Sequence, residues 1–326
     1  MPNIAVIGCG HISSKMARTL RMMKDNGENI TLYAAAARNL DRAQTFAREQ
    51  GFLKAFGSYE EMLRDPMVDL VYIGTPHSHH FEQMLLCLQH GKHVLAEKAF
   101  TINAKQAREA LALAREKGLL CAEAIWPRYM PSREIIAGLM DEIGGAQYIA
   151  SDLHYEMESI PRIVQLELAG GALLDIGVYA VTFALMYINS PITRLETCAS
   201  LTQKGVDRVS SITLFAENGC TAMLSCGIAA NAGQHTMIAG PKGRIVVDNV
   251  FNPRQVRVIT DEGERTVEMP DQLTGYEYQV RACIRAIENG QSECPEMPHS
   301  EIIRVMELMD ECRRRWGMIY PQEREA

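Results

Sequence analysis

The stretch NIAVIGCGHIS, residues 3–13, decides how the rest of the chain is read. An apolar, strand-like run ends at Gly8, a second glycine follows at Gly10, and a helical pattern opens at once. In that context Gly8 permits a tight turn. Gly10 lets the backbone approach a pyrophosphate, which the free N–H groups of a helix start, here His11 and Ile12, would hold. Ser13 stands where a third Gly or Ala is usual, and is still small enough for close helix packing. The turn predicts a dinucleotide-binding unit rather than a bare glycine loop.

Outward from that turn, strand-like and helix-like runs alternate. ITLYAAAA, DLVYIGT, HVLAE and LLCAEAI read as strands, separated by the helical patterns LDRAQTFAREQ, HHFEQMLLCLQHG and NAKQAREALALAREKG. Such alternation implies βαβ units and a parallel sheet, with the ligand crevice at the strands' C-terminal ends. After about residue 125 the grammar changes. A short helix near 132–142, the strand AQYIASDLHYEM and a helix near 172–190 precede TRLETCASL, RVSSITLFAE, CTAMLSCGIAA, HTMIAG, RIVVDN and QVRVIT. Turn residues between them are those of an antiparallel sheet. Helices near 275–289 and 300–315 close the chain. The expectation is an α/β Rossmann domain, doubly wound, over residues 1–124. An α+β domain with a large, mainly antiparallel open sheet follows over 125–326.

Composition narrows the partners. The 326 residues are 47 % hydrophobic and 22 % charged, with net charge −7, so a nucleic acid or an acidic membrane is not expected. No stretch is read as approaching the ~18 apolar residues of a membrane span, and the N-terminal run lacks a basic leader. Nine scattered cysteines without a CxxC read as reduced, which points to the cytoplasm. His77, His79 and His80 invite a metal, but no carboxylate or cysteine stands at ligand spacing, so none is expected.

The chemistry-bearing residues fall at strand ends. After the second strand, AAAARN carries no acid for a ribose 2′-hydroxyl but does carry Arg38, so NADP is favoured, with NAD the other possibility. Thr75, Pro76, His77 and His80 lie on the crevice rim, as do Glu97 and Lys98. Trp126 either walls the nicotinamide pocket or packs in the core; Arg128 would bind a phosphate or a substrate oxygen. Asp175 and Tyr179 interrupt the apolar run AGGALLDIGVYAV, and on a helix they share a face. Asp152, His154 and Arg162 are candidates for substrate hydroxyls. Alternating apolar residues in 211–229, among them Ile212, Leu214, Leu224 and Ile228, suggest a homodimer or homotetramer through the C-terminal sheet.

VIGCGHIS, TPHSHH, EKAF and GGALLDIGVY, in this order, resemble the glucose–fructose oxidoreductase/inositol dehydrogenase (Gfo/Idh/MocA) family. EAIWPRYMP and the tyrosine of DIGVY are similar to its branch of dimeric dihydrodiol dehydrogenases and NADP-linked D-xylose dehydrogenases. The resemblance implies hydride transfer between NADP and a carbon of a sugar, polyol or cyclic diol. It sets Lys98, Tyr179 and Asp175 around the nicotinamide, with Lys98 and Tyr179 as the acid–base pair. An ordinary tyrosine is a poor base at neutral pH, and a neighbouring ammonium stabilises its phenolate. Two departures stand out. The family's E-K-P is Glu97-Lys98-Ala99, and its more usual D-x-G-x-H ends in Tyr179. An NAD-dependent glycosidase of the same family and a non-catalytic NADP sensor are the competing functions.

Overall fold

The computed structural model describes residues 1–324 and divides into two compact units. Met1–Trp126 with Gln272–Met306 form the first; Pro127–Asp271 and the chain from Glu307 on form the second.

The first unit alternates β1 (Asn3–Ile7), α1 (His11–Asp25), β2 (Thr31–Ala36), α2 (Leu40–Gln50), β3 (Lys54–Phe56), α3 (Tyr59–Leu63), β4 (Leu70–Ile73), α4 (His77–Gln89), β5 (His93–Glu97), α5 (Ala104–Lys117) and β6 (Cys121–Ala124). The strands pair in parallel in the order β3-β2-β1-β4-β5-β6, the doubly wound sheet expected. Every residue of β1 and β4 is buried, as continuous apolar strands covered on both faces should be. Asn39 and Asn103 cap α2 and α5, accepting the N–H groups of Arg42 and Gln106 at 2.9 Å. β3 is an addition to the sequence reading; its three residues are too few to show a period.

The second unit holds α6 (Pro131–Gly138), β7 (Tyr148–Glu156), α7 (Val178–Ile188) and the strands β8 (Ile192–Leu201), β9 (Asp207–Ala216), β10 (Thr221–Gly227), β11 (Ala229–Gly240), β12 (Gly243–Val247), β13 (Gln255–Thr260) and β14 (Gly263–Glu268). The eight strands run in the order β14-β13-β12-β11-β7-β10-β9-β8, antiparallel except for the parallel pair β7–β10. The helix expected near 172–190 opens as a π-helical turn, Leu173–Gly177, before α7 begins.

Three expectations need correction. Residues 166–188 are long and apolar enough to cross a membrane by length and composition, because the runs on either side of Asp175 add up; most of that stretch is buried inside the unit. Ile212, Leu214, Leu224 and Ile228 lie in the unit's own core, at most 3 % exposed, so they are not the residues a second subunit would cover. Residues 272–306, placed by the sequence with the second domain, pack with the first unit. There α8 (Glu277–Glu288) sets Arg281 on Glu28 at 2.6 Å, and Thr274 meets the Thr19 hydroxyl at 2.8 Å. The His299 ring, opening α9 (His299–Trp316), lies 3.0 Å from the Cys121 carbonyl.

β7 alternates strictly over 149–153, with Ile149, Ser151 and Leu153 inward and Ala150 and Asp152 outward. Leu153→Ala should therefore cost about 2–5 kcal/mol in urea unfolding, and Asp152→Ala less than ~0.5. Equal losses would mean the strand is one residue out of phase.

Candidate functional site

The glycine turn is built for a ligand that lies against backbone. Gly8 has φ +90°, and a Cβ there would come within 2.8 Å of Thr75 Cγ2. Over Gly10 a Cβ would meet nothing within 4 Å, so the backbone at the head of α1 faces open space. Gly10 makes no side-chain cap, which leaves the first N–H groups of α1, including those of His11 and Ile12, aimed outward. This turn fits a dinucleotide pyrophosphate. Beside it a cleft of about 530 Å³ is lined by Gly10, His11, Ser14, Asp41 and Arg42, among others.

Arg38 is exposed at the end of β2. Sequence reading found it and missed its partner one helical turn on. Arg42 bonds the Cys9 carbonyl at 3.0 Å and lines the cleft. Both guanidiniums act on Tyr59, and Arg38 also acts on His79, whose burial, aided by that charge, lowers its pKa. Burial outweighs Arg42 at Cys9 and pushes its thiol up to about 11, so it stays protonated. The spacing Arg-x-x-x-Arg at a helix start was the signal that could have found Arg42.

The rim residues divide by task. Thr75 Oγ1 donates to Gln83 at 2.7 Å, and Pro76 precedes α4 as its cap residue. His77 is buried and meets His80 edge-on. His80 is not available to a cofactor as expected: its two ring nitrogens lie 2.9 Å from the Ala99 and Thr75 carbonyls. Burial holds its pKa below the ordinary histidine value against the pull of those carbonyls, and the neutral ring, with a single N–H, donates to one of them at a time. Glu97, also buried, accepts the Tyr72 hydroxyl. Lys98 follows it, half-buried at the end of β5, with Phe100 N–H held by the buried Glu123 at 3.0 Å. Trp126 stacks on Tyr276, ring centres 4.3 Å apart and 5° from parallel. Arg128 is buried on the turn that follows.

In the second unit, residues 171–185 are buried with one exception, Tyr179. Its ring meets Phe251 edge-on at 4.6 Å, and Tyr155 approaches the same phenylalanine at 6.1 Å. Asp175 is buried and accepts Arg162 Nη1 at 2.7 Å, so two expected site residues pair with each other. Asp152 and His154 are not brought to this group. They lie on the face of β7 opposite Leu153; Cys226, paired with Leu153, touches Gly177 of the buried run. His154 is instead occupied by Ser225 Oγ at 2.5 Å. Tyr155, one residue on, approaches Phe251, the ring that Tyr179 also meets, and a shift of one position in the strand was enough to miss it. Among the described residues no cluster of His, Cys, Asp and Glu is arranged to hold a metal.

Residues 2–124 match the family profile described as the GFO/IDH/MocA oxidoreductase family, NAD-binding Rossmann fold; residues 139–246 match that family's C-terminal domain. Trans-1,2-dihydrobenzene-1,2-diol dehydrogenase of Mus musculus is 31 % identical over 98 % of both chains; that of Xenopus tropicalis is 35 % identical over 88 % of this chain and 90 % of its own. Among solved structures, a 3-ketoreductase from Actinomadura kijaniata in complex with NADP and TDP-benzene superposes with a TM-score of 0.85. It is 28 % identical, over 96 % of this chain and 97 % of the other.

Gly8→Ala should lower the affinity for a nicotinamide dinucleotide at least tenfold, by strain at φ +90° and by displacement of Thr75. Fluorescence titration with reduced dinucleotide measures it, and unchanged affinity would separate this turn from cofactor binding.

Proposed function

This chain belongs to the Gfo/Idh/MocA oxidoreductase family, and we propose that it is an NADP-dependent dehydrogenase of a sugar, polyol or cyclic diol in which Lys98 and Tyr179 form the acid–base pair. One observation carries the reading: a run of fifteen residues, 171–185, is buried except for a single phenol. Partial exposure of the phenol, with its ring packed on Phe251, is what a tyrosine that must meet a substrate requires.

When bound, the nicotinamide supplies the carbon that accepts or gives the hydride. Oxidising an alcohol also requires that its O–H proton leave. Either Tyr179 takes that proton as phenolate, stabilised by a Lys98 ammonium, or Tyr179 relays it to Lys98, which then starts as the neutral amine and ends as the ammonium. Asp175 orients Arg162, and since a guanidinium has five N–H donors, that bond leaves others for substrate hydroxyls. Phe251 and Tyr155 beside Tyr179 give the substrate an aromatic wall, which suits a ring with one apolar face. The names of the relatives, diol dehydrogenase and ketoreductase, support this class. At the other end Arg38 and Arg42 would hold a 2′-phosphate. Asp41 and Glu49 line the same cleft, so both guanidiniums are needed to keep the local field favourable.

Mixing the protein with NADP⁺ and a panel of aldoses and trans-dihydrodiols should yield NADPH absorbance. Released sugar without net NADPH would favour the glycosidase. Lys98→Ala and Tyr179→Phe should each lower kcat by roughly 10²–10⁴ while NADPH still binds. Full turnover in either removes that residue from the chemistry. Arg38→Ala and Arg42→Ala should weaken NADP more than NAD by about tenfold each; an equal loss for both cofactors would contradict the 2′-phosphate role.

We also propose a homodimer or homotetramer through the outer face of the eight-stranded sheet, where Met223 stands 51 % exposed between strands. Light scattering should give a multiple of 36.4 kDa, and Met223→Asp should shift it towards one chain; a wild-type monomer ends the idea.

A further inference from the structure

Asp207 opens β9, is fully buried, and has no part in the reaction as set out above. Its Oδ2 accepts the Leu173 N–H at 2.7 Å, and the Ala172 amide also favours its charged form. Its Oδ1 occupies the space where Gly171 has no side chain; a Cβ there would lie 2.0 Å away. One carboxylate thus engages the Ala172 and Leu173 amides through its other edge, while Oδ1 lies against Gly171 without a hydrogen bond. From the far side, the Tyr320 hydroxyl donates to the Gly170 carbonyl at 2.9 Å. The run has no cap of its own, since Ala172 offers no side-chain acceptor. A helix head needs one. Asp207 supplies it from 34 residues away, just where the π-helical turn that carries Asp175 begins.

We propose that Asp207 is a positioning residue, which by bonding the head of segment 171–179 from β9 sets where Asp175 and Tyr179 stand toward the substrate. Its activity arm rests on the role given to Tyr179 above; its structural arm does not.

The groups that face Asp207 are Arg313 and Cys312 on α9, Tyr320 beyond it, and Cys226 on β10. Burial pushes both thiols and the phenol up, so they stay neutral. Arg313 is the cation among them, and it is shared with Asp310 and Glu323, each at 2.7 Å. Burial therefore outweighs Arg313 and the backbone bonds, and pushes the Asp207 carboxyl up to about 7. The ionised form accepts N–H bonds better than the acid, so the grip on the Ala172 and Leu173 amides tightens as pH rises through that value.

The test compares the full-length chain with Asp207→Asn, Asp207→Ala and Tyr179→Phe, using NADP⁺ and a trans-dihydrodiol as the activity probe. Asn keeps an acceptor but never ionises. The kcat ratio of wild type to Asp207→Asn should be near one at about pH 5.5 and rise to about 10–100 at about pH 8.5, the size expected when reacting groups are misplaced. NADPH affinity should stay unchanged, since the turn that fits its pyrophosphate is in the other unit. Amide exchange should show lost protection over 170–179 in Asp207→Ala, and in Asp207→Asn at about pH 8.5, with the rest of the sheet protected as before. A flat ratio across pH, with Tyr179→Phe still crippled, overturns the proposal. If Tyr179→Phe turns over normally, the acid–base reading has failed instead, and exchange alone decides: unchanged protection over 170–179 overturns the positioning role. Should the Ala variant not fold, the Asn variant carries both readouts.

Discussion

A loop that presents chemistry must be held still without a ladder of backbone bonds, and in this protein buried carboxylates do the holding. Among the described residues the buried acids are Glu97, Glu123, Asp175, Asp207 and Glu277. A buried charge is costly unless several donors meet it, and each of these meets donors on a segment next to a candidate site residue. Glu97, directly before Lys98, takes the Tyr72 hydroxyl, and Glu123 takes the N–H of Phe100, two residues after it. Glu277 gathers the N–H groups of Leu273, Thr274 and Gly275, and so fixes the loop whose Tyr276 stacks on Trp126. Asp175 holds Arg162, and Asp207 the head of the run that ends in Tyr179. None of these bonds belongs to a helix or sheet ladder.

The cofactor end of the first unit works by the opposite sign. There the donors are backbone N–H groups left unmet at the start of α1, and the charges are Arg38 and Arg42. The geometry needs small residues rather than acids: Gly8 because Thr75 is so close, and Gly74 because Ser13 Oγ would lie 2.3 Å from any Cβ. Ser13 is therefore more than a tolerated substitute for glycine. It packs α1 against the end of β4, which brings the phosphate turn and the Thr75–His77 rim together in one unit.

Most of this architecture was legible because periodicity survives in long apolar runs. The parallel sheet, the glycine turn and the open antiparallel sheet all follow from alternation and turn residues. What was not legible has physical reasons. β3 and β14 are too short or too polar to carry a period; GERTVE is nearly all exposed. Asp152 and His154 carry the right chemistry, but alternation along β7 turns them to the face opposite Leu153 and puts Tyr155 near Phe251, the partner of Tyr179. Phe251 lies between β12 and β13, in a loop without periodicity, so its contact with Tyr179 needed three dimensions. The return of residues 272–306 to the first unit depends on long-range pairs such as Arg281–Glu28 and Thr19–Thr274, which leave no local trace. Asp207 bonds a residue 34 positions away, which leaves no local trace in the sequence.

The energetics of Asp207 argue that it serves position rather than stability. Its carboxyl, at about 7 in the fold against ~3.9 for an unperturbed aspartate, binds protons more tightly folded than unfolded. The sign follows: folding gains nothing from its charge, stability falls as pH rises from about 4 to 7, and the deficit is fully present above that window. About three units correspond to a cost on the order of 4 kcal/mol near neutrality, comparable to a large core truncation. An apolar side chain of similar volume would remove that cost, and packing alone would then be served better. Such a residue could not meet the Leu173 N–H, however. The cost buys a fixed start for the buried run that carries Asp175 and the half-buried Tyr179.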